Sequence, residues 1–455
     1  RDTDRSRGLG DVYKRQGMLS TMLLAVGCNK EDGGNRVTPE AGVKTYASFS
    51  VSLLNQSTRA TSNDPNAVTE ETKIHDLYIY IFNGGVLETK GQIILNADNK
   101  GTSALATTTG TKTIYAVANY NNAKGDIGSL QSDFEKQLIA ATDIAEENGF
   151  FMAGKTEATL TERTEEEAKQ EANLIQIFVA RGAAKVQMQF GTNVPVKPVV
   201  NATVTNARFT LAQQNSHTYL AKLIVNGFSS KGKRVEQTDA DRDGTYDHLT
   251  KLPTTDDELK WINAVTTYDN AFDNSKYLAE NVNENPTTGN TSYVLVSLQV
   301  TPQTKADDTG AVIATPLTPG TTFYVLAKKE ATSGKITFAT KEDKILYFEQ
   351  ETDAATYKNA QVDLTTYEVL AYTNGISYYR LNIRDIRETD LTKKYAVNRN
   401  HYYKVNITEI SNLGFNTAAG TIPTDPITPL ETQTFISADI TIEAWTVVDM
   451  NEPLG

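Results

Sequence analysis

The residue best placed to carry chemistry in this chain is its single cysteine, Cys28. It closes the apolar run Met18-Leu19-Ser20-Thr21-Met22-Leu23-Leu24-Ala25-Val26-Gly27. A short apolar segment, a small residue and then Cys is how a bacterial lipoprotein signal peptide ends. Cleavage before Cys28 leaves a thiol that carries diacylglycerol and a new amino group that is acylated. The run is about ten residues, roughly half of what a helix needs to cross a bilayer, so it reads as an export signal rather than an anchor. The polar tract from Asn29 to Asn35 then reads as a tether leaving a membrane surface.

A second cluster is Asp239-Ala240-Asp241-Arg242-Asp243-Gly244-Thr245-Tyr246-Asp247. Asp239, Asp241, Asp243 and Asp247 fall at positions 1, 3, 5 and 9 with Gly244 at 6. That spacing turns alternate carboxylates toward a hard cation, and glycine permits the sharp turn. Position 12 is Thr250 and not a bidentate Glu, so the pattern suits a weak structural Ca²⁺ site or a solvated acidic loop. Catalysis has no comparable signal. His75, His217, His248 and His401 are scattered, and no HExxH, GxSxG or Walker A sequence is present. The expectation is a protein that is not an enzyme and requires no cofactor.

Composition narrows the class. Of 455 residues, 39% are hydrophobic and 22% charged, enough apolar content for packed cores. The 21 Tyr and 15 Phe against 2 Trp, with abundant Thr and Val, favour β-structure. A net charge of −12 and a pI of about 5.0 leave no basic stripe for phosphates, which argues against a nucleic-acid partner. With Cys28 lipidated no thiol remains, so disulfides, thiol redox chemistry and Cys₄ zinc sites are excluded. Residues 1–16 mix acids and bases without periodicity and read as a cloning or sequencing artefact. Residues 1–27 as a whole are read as artefact plus signal peptide.

Several elements must do the positioning. Tyr46 to Leu53 alternates with period two and places Ala47, Phe49, Val51 and Leu53 on one face of a half-buried strand over 45–54. A polar loop over 55–66 follows and contains Arg59 and Ala60. A strand from Lys73 to Phe82 stops at Asn83-Gly84-Gly85, a hairpin signal. Ser132 to Thr142 reads as a helix capped by Ser132 and Glu135, and a second helical stretch is expected around Asp256 to Val265. The prolines of Gly191 to Pro198 mark a linker, dividing a domain over 28–190 from one over 191–455. Near the end, Ile436, Ala438, Ile440, Ile442 and Ala444 share one face of a strand over 436–448. A Thr- and Pro-rich leader, Thr417 to Thr434, precedes it. Such a strand could edge its own sheet or complete a neighbour's. The class is mainly β, a two-domain β-sandwich with a few short helices.

Four stretches carry a family resemblance: Val179-Ala180-Arg181-Gly182-Ala183-Ala184-Lys185-Val186, Tyr378-Tyr379-Arg380-Leu381-Asn382-Ile383, Val397-Asn398-Arg399-Asn400-His401-Tyr402-Tyr403-Lys404-Val405-Asn406-Ile407, and Ile440-Thr441-Ile442-Glu443-Ala444-Trp445. With the cysteine motif and the arginine loop, they resemble the type V fimbrillins of the Bacteroidales. The resemblance implies a two-domain transthyretin-like β-sandwich pilin, carried to the outer membrane as a lipoprotein precursor. It further implies that a trypsin-like protease cuts the Arg59–Ala60 bond. The first strand and its lipid leave, and the terminal strand of another subunit fills the groove. Membrane contact, through the lipid, then belongs to the precursor only, and the mature protein resides in an extracellular fimbrium. The implied partners are further copies of this chain, accessory fimbrial subunits, and host or bacterial surface receptors met in adhesion and biofilm formation. A stalk role fits a chain with both Arg59 and a terminal strand. The alternatives are a tip or anchor pilin, or a monomeric surface lipoprotein that binds glycans or peptides.

Overall fold

Alternation of apolar side chains builds the first sheet. In a computed structural model of the chain, the described residues are 42–53, 69–120, 128–146, 149–221, 224–225, 228–229, 249–253, 256–269, 271–283, 285–329, 336–385, 387–422, 426–427, 430 and 436–444. Strand β1, Lys44–Leu53, buries Ala47, Phe49 and Val51 and half-buries Leu53, the face expected from its period. A short helix α1, Thr69–Thr72, precedes β2, Leu77–Asn83, and β3, Val86–Gln92. The two-residue turn between β2 and β3 is Gly84-Gly85, with φ of 56° and 83°. Positive φ at both positions is what a twisted hairpin turn demands, and glycine meets it without strain. Strands β4, Leu105–Thr108, and β5, Gly110–Ala118, follow. The sheet runs β3-β2-β5, then Met152–Leu160, Leu174–Arg181, β1 and β4. Its core is rich in aromatics: Tyr80, Phe82, Tyr115 and Phe134 have ring centroids 4.7 to 5.6 Å apart.

The chain leaves this sheet at Arg181 and enters the next at Ala183. Gly182 sits against Phe151, whose Cδ1 would lie 2.3 Å from any added Cβ, so only glycine makes the step. A four-stranded sheet follows, in the order Lys276–Ala279, Ala183–Phe190, His401–Ile410 and Ile436–Ala444. A second four-stranded sheet comprises Ile262–Asn263, Ala202–Ala212, Tyr293–Pro302 and Ile376–Asn382. Val186, Met188, Phe209, Val296, Tyr403, Val405 and Ile440 from the two sheets fill one core. That is the sandwich arrangement, in which inward-facing residues of two sheets share a single apolar layer. A further sheet around Phe323–Lys329 carries the helix Glu351–Ala360 and a stacked Phe323–Tyr372 pair at 5.0 Å. No helix among the described residues is long and apolar enough to cross a membrane.

Two expected helices are replaced. In the first, only Gln131–Glu135 is α-helical, a 3₁₀ turn follows at Ala141–Asp143, and Leu138–Ala140 between them pairs with the strand His217–Tyr219. Glu135 does not serve the cap. Its carboxylate takes bonds from Tyr115, Gln131 and Lys155, which outweigh its burial and lower its pKa. In the second, a single 3₁₀ turn at Asp256–Leu259 gives way to the strand Ile262–Asn263, which pairs with Ala202–Ala212. Tertiary pairing overrides local helix propensity in both.

Candidate functional site

The first strand lies inside its sheet, not at an edge. On one side β1 runs parallel to Leu174–Arg181, from Ser48 opposite Leu174 to Leu53 opposite Val179. On the other it pairs antiparallel with β4, from Lys44 opposite Thr108 to Ala47 opposite Leu105. Farther along that side the 99–101 segment takes over: Val51 N donates to Asn99 O at 3.0 Å and Gly101 N donates to Phe49 O at 2.7 Å. The entry of the strand is fixed by Thr45 Oγ1, which donates to Thr161 O at 2.7 Å, and by Asn173 Nδ2, which donates to Tyr46 O at 2.9 Å. Below, Ala47, Phe49 and Val51 share a core with Ile79, Ile81, Ile93 and Ile177. Taking β1 away would strip hydrogen bonds from both neighbours and uncover this core. Each backbone group left buried and unpaired costs about 1–3 kcal/mol.

The terminal strand Ile436–Ala444 occupies the edge of its own sheet, antiparallel to His401–Ile410, from Ile436 opposite Ile410 to Ala444 opposite His401. Ala438 and Ile440 are buried in the sandwich core. Of the leader, Leu430 O accepts a bond from Asn382 Nδ2 at 3.0 Å, and Pro426 O accepts from Gly289 N at 2.8 Å. Of the two placements open to it, then, this single chain adopts the one within its own sheet.

A buried charged network lies where the first sheet meets the second, and its acid comes from α1, which follows Arg59 in the sequence. Lys185 Nζ lies 2.9 Å from Glu71 Oε1, both side chains fully buried. Tyr277 OH donates to the same oxygen at 2.7 Å, and Arg181 Nε donates to the Glu71 carbonyl at 2.5 Å. Arg181 also donates to Asn400 Oδ1 at 3.1 Å. Burial drives the Arg181 pKa down to about 10, against the pull of Glu71 and Tyr277, while burial and the Glu71 charge push the Tyr277 pKa up. A neighbouring buried pair joins Arg399 to Glu280 at 2.8 Å. Tyr402 OH donates to Gln187 Oε1 at 2.9 Å, and Tyr403 OH donates to Ala396 O at 3.1 Å. The Arg-Asn-His-Tyr-Tyr block and the Val179–Val186 stretch are therefore two sides of one internal junction, and their role there is structural. Glu71 carried no signal of its own in the sequence.

Cys28, expected to be lipidated, the Arg59–Ala60 bond expected to be cut, and the aspartates 239, 241, 243 and 247 expected to hold Ca²⁺ all lie outside the described residues. Among the described residues no group of three or more His, Cys, Asp or Glu side chains is placed to hold a metal ion.

Comparison with known proteins assigns the chain. Residues 45–197 match the family described as major fimbrial subunit protein (FimA). Residues 370–451 match the family described as major fimbrial subunit protein type IV, fimbrillin, C-terminal. No curated protein sequence matches the chain. Among solved structures, a candidate cell adhesion protein of Parabacteroides distasonis is similar over 89% of this chain and 100% of its own, with 14% identity and a TM-score of 0.51, a likeness of fold. A fimbrilin of Porphyromonas gingivalis aligns over 90% of this chain and 99% of its own, with 15% identity and a TM-score of 0.46. The two family matches take in the first strand and its groove at one end and the terminal strand at the other: the chain belongs to the major fimbrial subunits, the fimbrillins.

Proposed function

We propose that this fimbrial subunit forms the stalk, exported as a lipoprotein anchored at Cys28, released by cleavage of Arg59–Ala60 and polymerised by strand exchange. The observation that carries the reading is the placement of β1. It has strand-like neighbours along both sides, and it ends at Leu53, six residues before Arg59 in the sequence. Cutting after Arg59 would free the strand from the rest of the chain, and its vacated place offers two rows of backbone partners. The terminal strand has one such row at present. Moving into a neighbour's groove exchanges one row for two, and the apolar face that leaves its own sandwich core fills the vacated one. Each copy then donates one strand and receives another. Such a contact is heterologous and does not close on itself, which makes a filament. In the precursor the groove is filled, and polymerisation waits for proteolysis. Acyl chains contribute about 0.8 kcal/mol per buried CH₂, enough for a multiply acylated Cys28 to hold the precursor at the outer membrane until the cut. Accessory subunits and surface receptors in adhesion and biofilm formation complete the reading.

Trypsin treatment of the purified precursor should give ladders on mild-denaturant gels. Arg59→Ala should accumulate as uncut, lipid-bearing monomer. Excess synthetic peptide of residues 436–448 should suppress the ladder by occupying the groove, without any change to the folding of the subunit itself. Ladders that ignore the peptide, or form equally from a chain ending at Thr434, would end the strand-exchange account. The place of the terminal strand in its own sheet favours one other reading, a monomeric surface lipoprotein that keeps β1 and binds glycans or peptides. Such a protein would give no ladder at all.

For the acidic loop we propose a weak Ca²⁺ site. A ligand at ten times its Kd that binds only the folded state adds about 1.4 kcal/mol of stability. Millimolar calcium should therefore raise the melting temperature of the wild type and not of Asp241→Ala with Asp243→Ala. An unchanged wild-type melt would leave a solvated loop.

A further inference from the structure

We propose that Glu88 and Lys112, acting on Thr107 and Thr108, form a brace that holds β4 in place once β1 has gone, so that the groove meets the incoming strand already shaped. The proposal rests on the strand-exchange reading above.

The two walls of the groove are not equally secure. Leu174–Arg181 has a second strand partner in Met152–Leu160, paired at Ala180 and Arg181, which ties its end to the sheet without β1. Among the described residues β4 has no strand partner except β1. Backbone pairing alone would let it collapse into the vacated space or swing away from it.

Side chains supply what the backbone lacks. Lys112 of β5 is fully buried, with Nζ 2.7 Å from Glu88 Oε2 and 2.8 Å from Thr108 Oγ1. Glu88 Oε1 accepts from Thr107 Oγ1 at 2.9 Å. Glu88 lies on β3, at the far end of the sheet order from β4, so these bonds draw the two edges of the curled sheet together. A second contact does the same: Leu105 packs on Gly91 of β3, where an added Cβ would lie 2.6 Å from Leu105 Cδ2. None of these contacts uses an atom of β1, and all of them persist when it leaves. The 99–101 segment differs, since its bonds through Asn99 O and Gly101 N end on Val51 and Phe49 and vanish with the strand.

The choice of a charge is itself informative. A buried lysine is costly unless paired, and an apolar residue of similar size would fill the same space. Buried pairs add little net stability, and the use open to this one is to fix position. Burial opposes the Glu88 carboxylate, yet the bonds from Lys112, Thr107 and Thr108 hold its pKa below the usual value, so the carboxylate stays ionised at neutral pH.

The test uses the full-length precursor with Glu88→Leu and Lys112→Met together, and separately Thr107→Val, which removes the Glu88 bond to β4 and leaves the Lys112–Thr108 bond. Both precursors should melt within about 2 °C of wild type, because β1 still holds β4 before cleavage. After trypsin treatment, uptake of a fluorescent 436–448 peptide, followed by anisotropy, should be at least tenfold slower in the paired variant. In Thr107→Val it should be slower by a smaller factor. Uptake at the wild-type rate in both would overturn the brace while leaving strand exchange intact. A precursor that loses its fold in both variants would also overturn it, by placing the role of the pair before cleavage. Absence of uptake by cleaved wild type would sink strand exchange itself, and the brace with it.

Discussion

Glu71→Ala is expected to lower the unfolding free energy by about 3–5 kcal/mol, the cost of removing one partner from a buried ion pair. Lys185 loses the carboxylate that lies 2.9 Å from its Nζ within a site closed to water, and Tyr277 loses an acceptor. Arg181 keeps its bond to the carbonyl of residue 71, so the segment stays attached while the charge balance fails. A loss of that size is a large share of the roughly 5–15 kcal/mol that ordinarily holds a domain together. Urea unfolding of the precursor measures it. Glu71→Leu combined with Lys185→Met should recover much of the loss, since an apolar pair of similar volume replaces the ions without leaving a bare charge. A penalty below about 1 kcal/mol for Glu71→Ala would show that the junction does not depend on this pair.

Phe49→Ala separates the precursor from the filament. Phe49 is wholly buried in the first core, and truncating such a ring costs about 3–5 kcal/mol. That penalty should appear in full when the uncut precursor is melted. It should disappear from the filament, because strand exchange as proposed discards the strand that carries Phe49. Filaments assembled from the variant should dissociate at the same denaturant concentration as wild type. An equal loss in both states would mean that β1 stays.

How far the sequence could be read follows the range of the interactions. The face of β1 and the inward places of Ala438 and Ile440 were legible because a period-two pattern needs only neighbouring residues, and the Asn83-Gly84-Gly85 turn because its φ values admit little else. The helix expected from Ser132 to Thr142 was not, since Tyr115 claims Glu135 and a strand at His217–Tyr219 claims Leu138–Ala140. The helix Glu351–Ala360 had signals at its ends, with Glu351 and Asp353 in the first turn and Lys358 in the last. It buries only Ala354, however, so no apolar stripe announced it. Glu70 and Glu71 look alike in sequence. What singles out Glu71 is Arg181, 110 residues farther along, together with Lys185. The brace hides in the same way, because Glu88 and Lys112 are ordinary strand residues until the curl of the sheet brings β3 to β4.

The N-terminal residue of the subunit in isolated surface filaments tests the account most directly. Edman sequencing and intact mass of purified filaments should give Ala60 as the first residue, with no lipid on the subunit and none of the Lys44–Leu53 strand. Filament subunits that begin at Cys28, acylated and still carrying that strand, would contradict it.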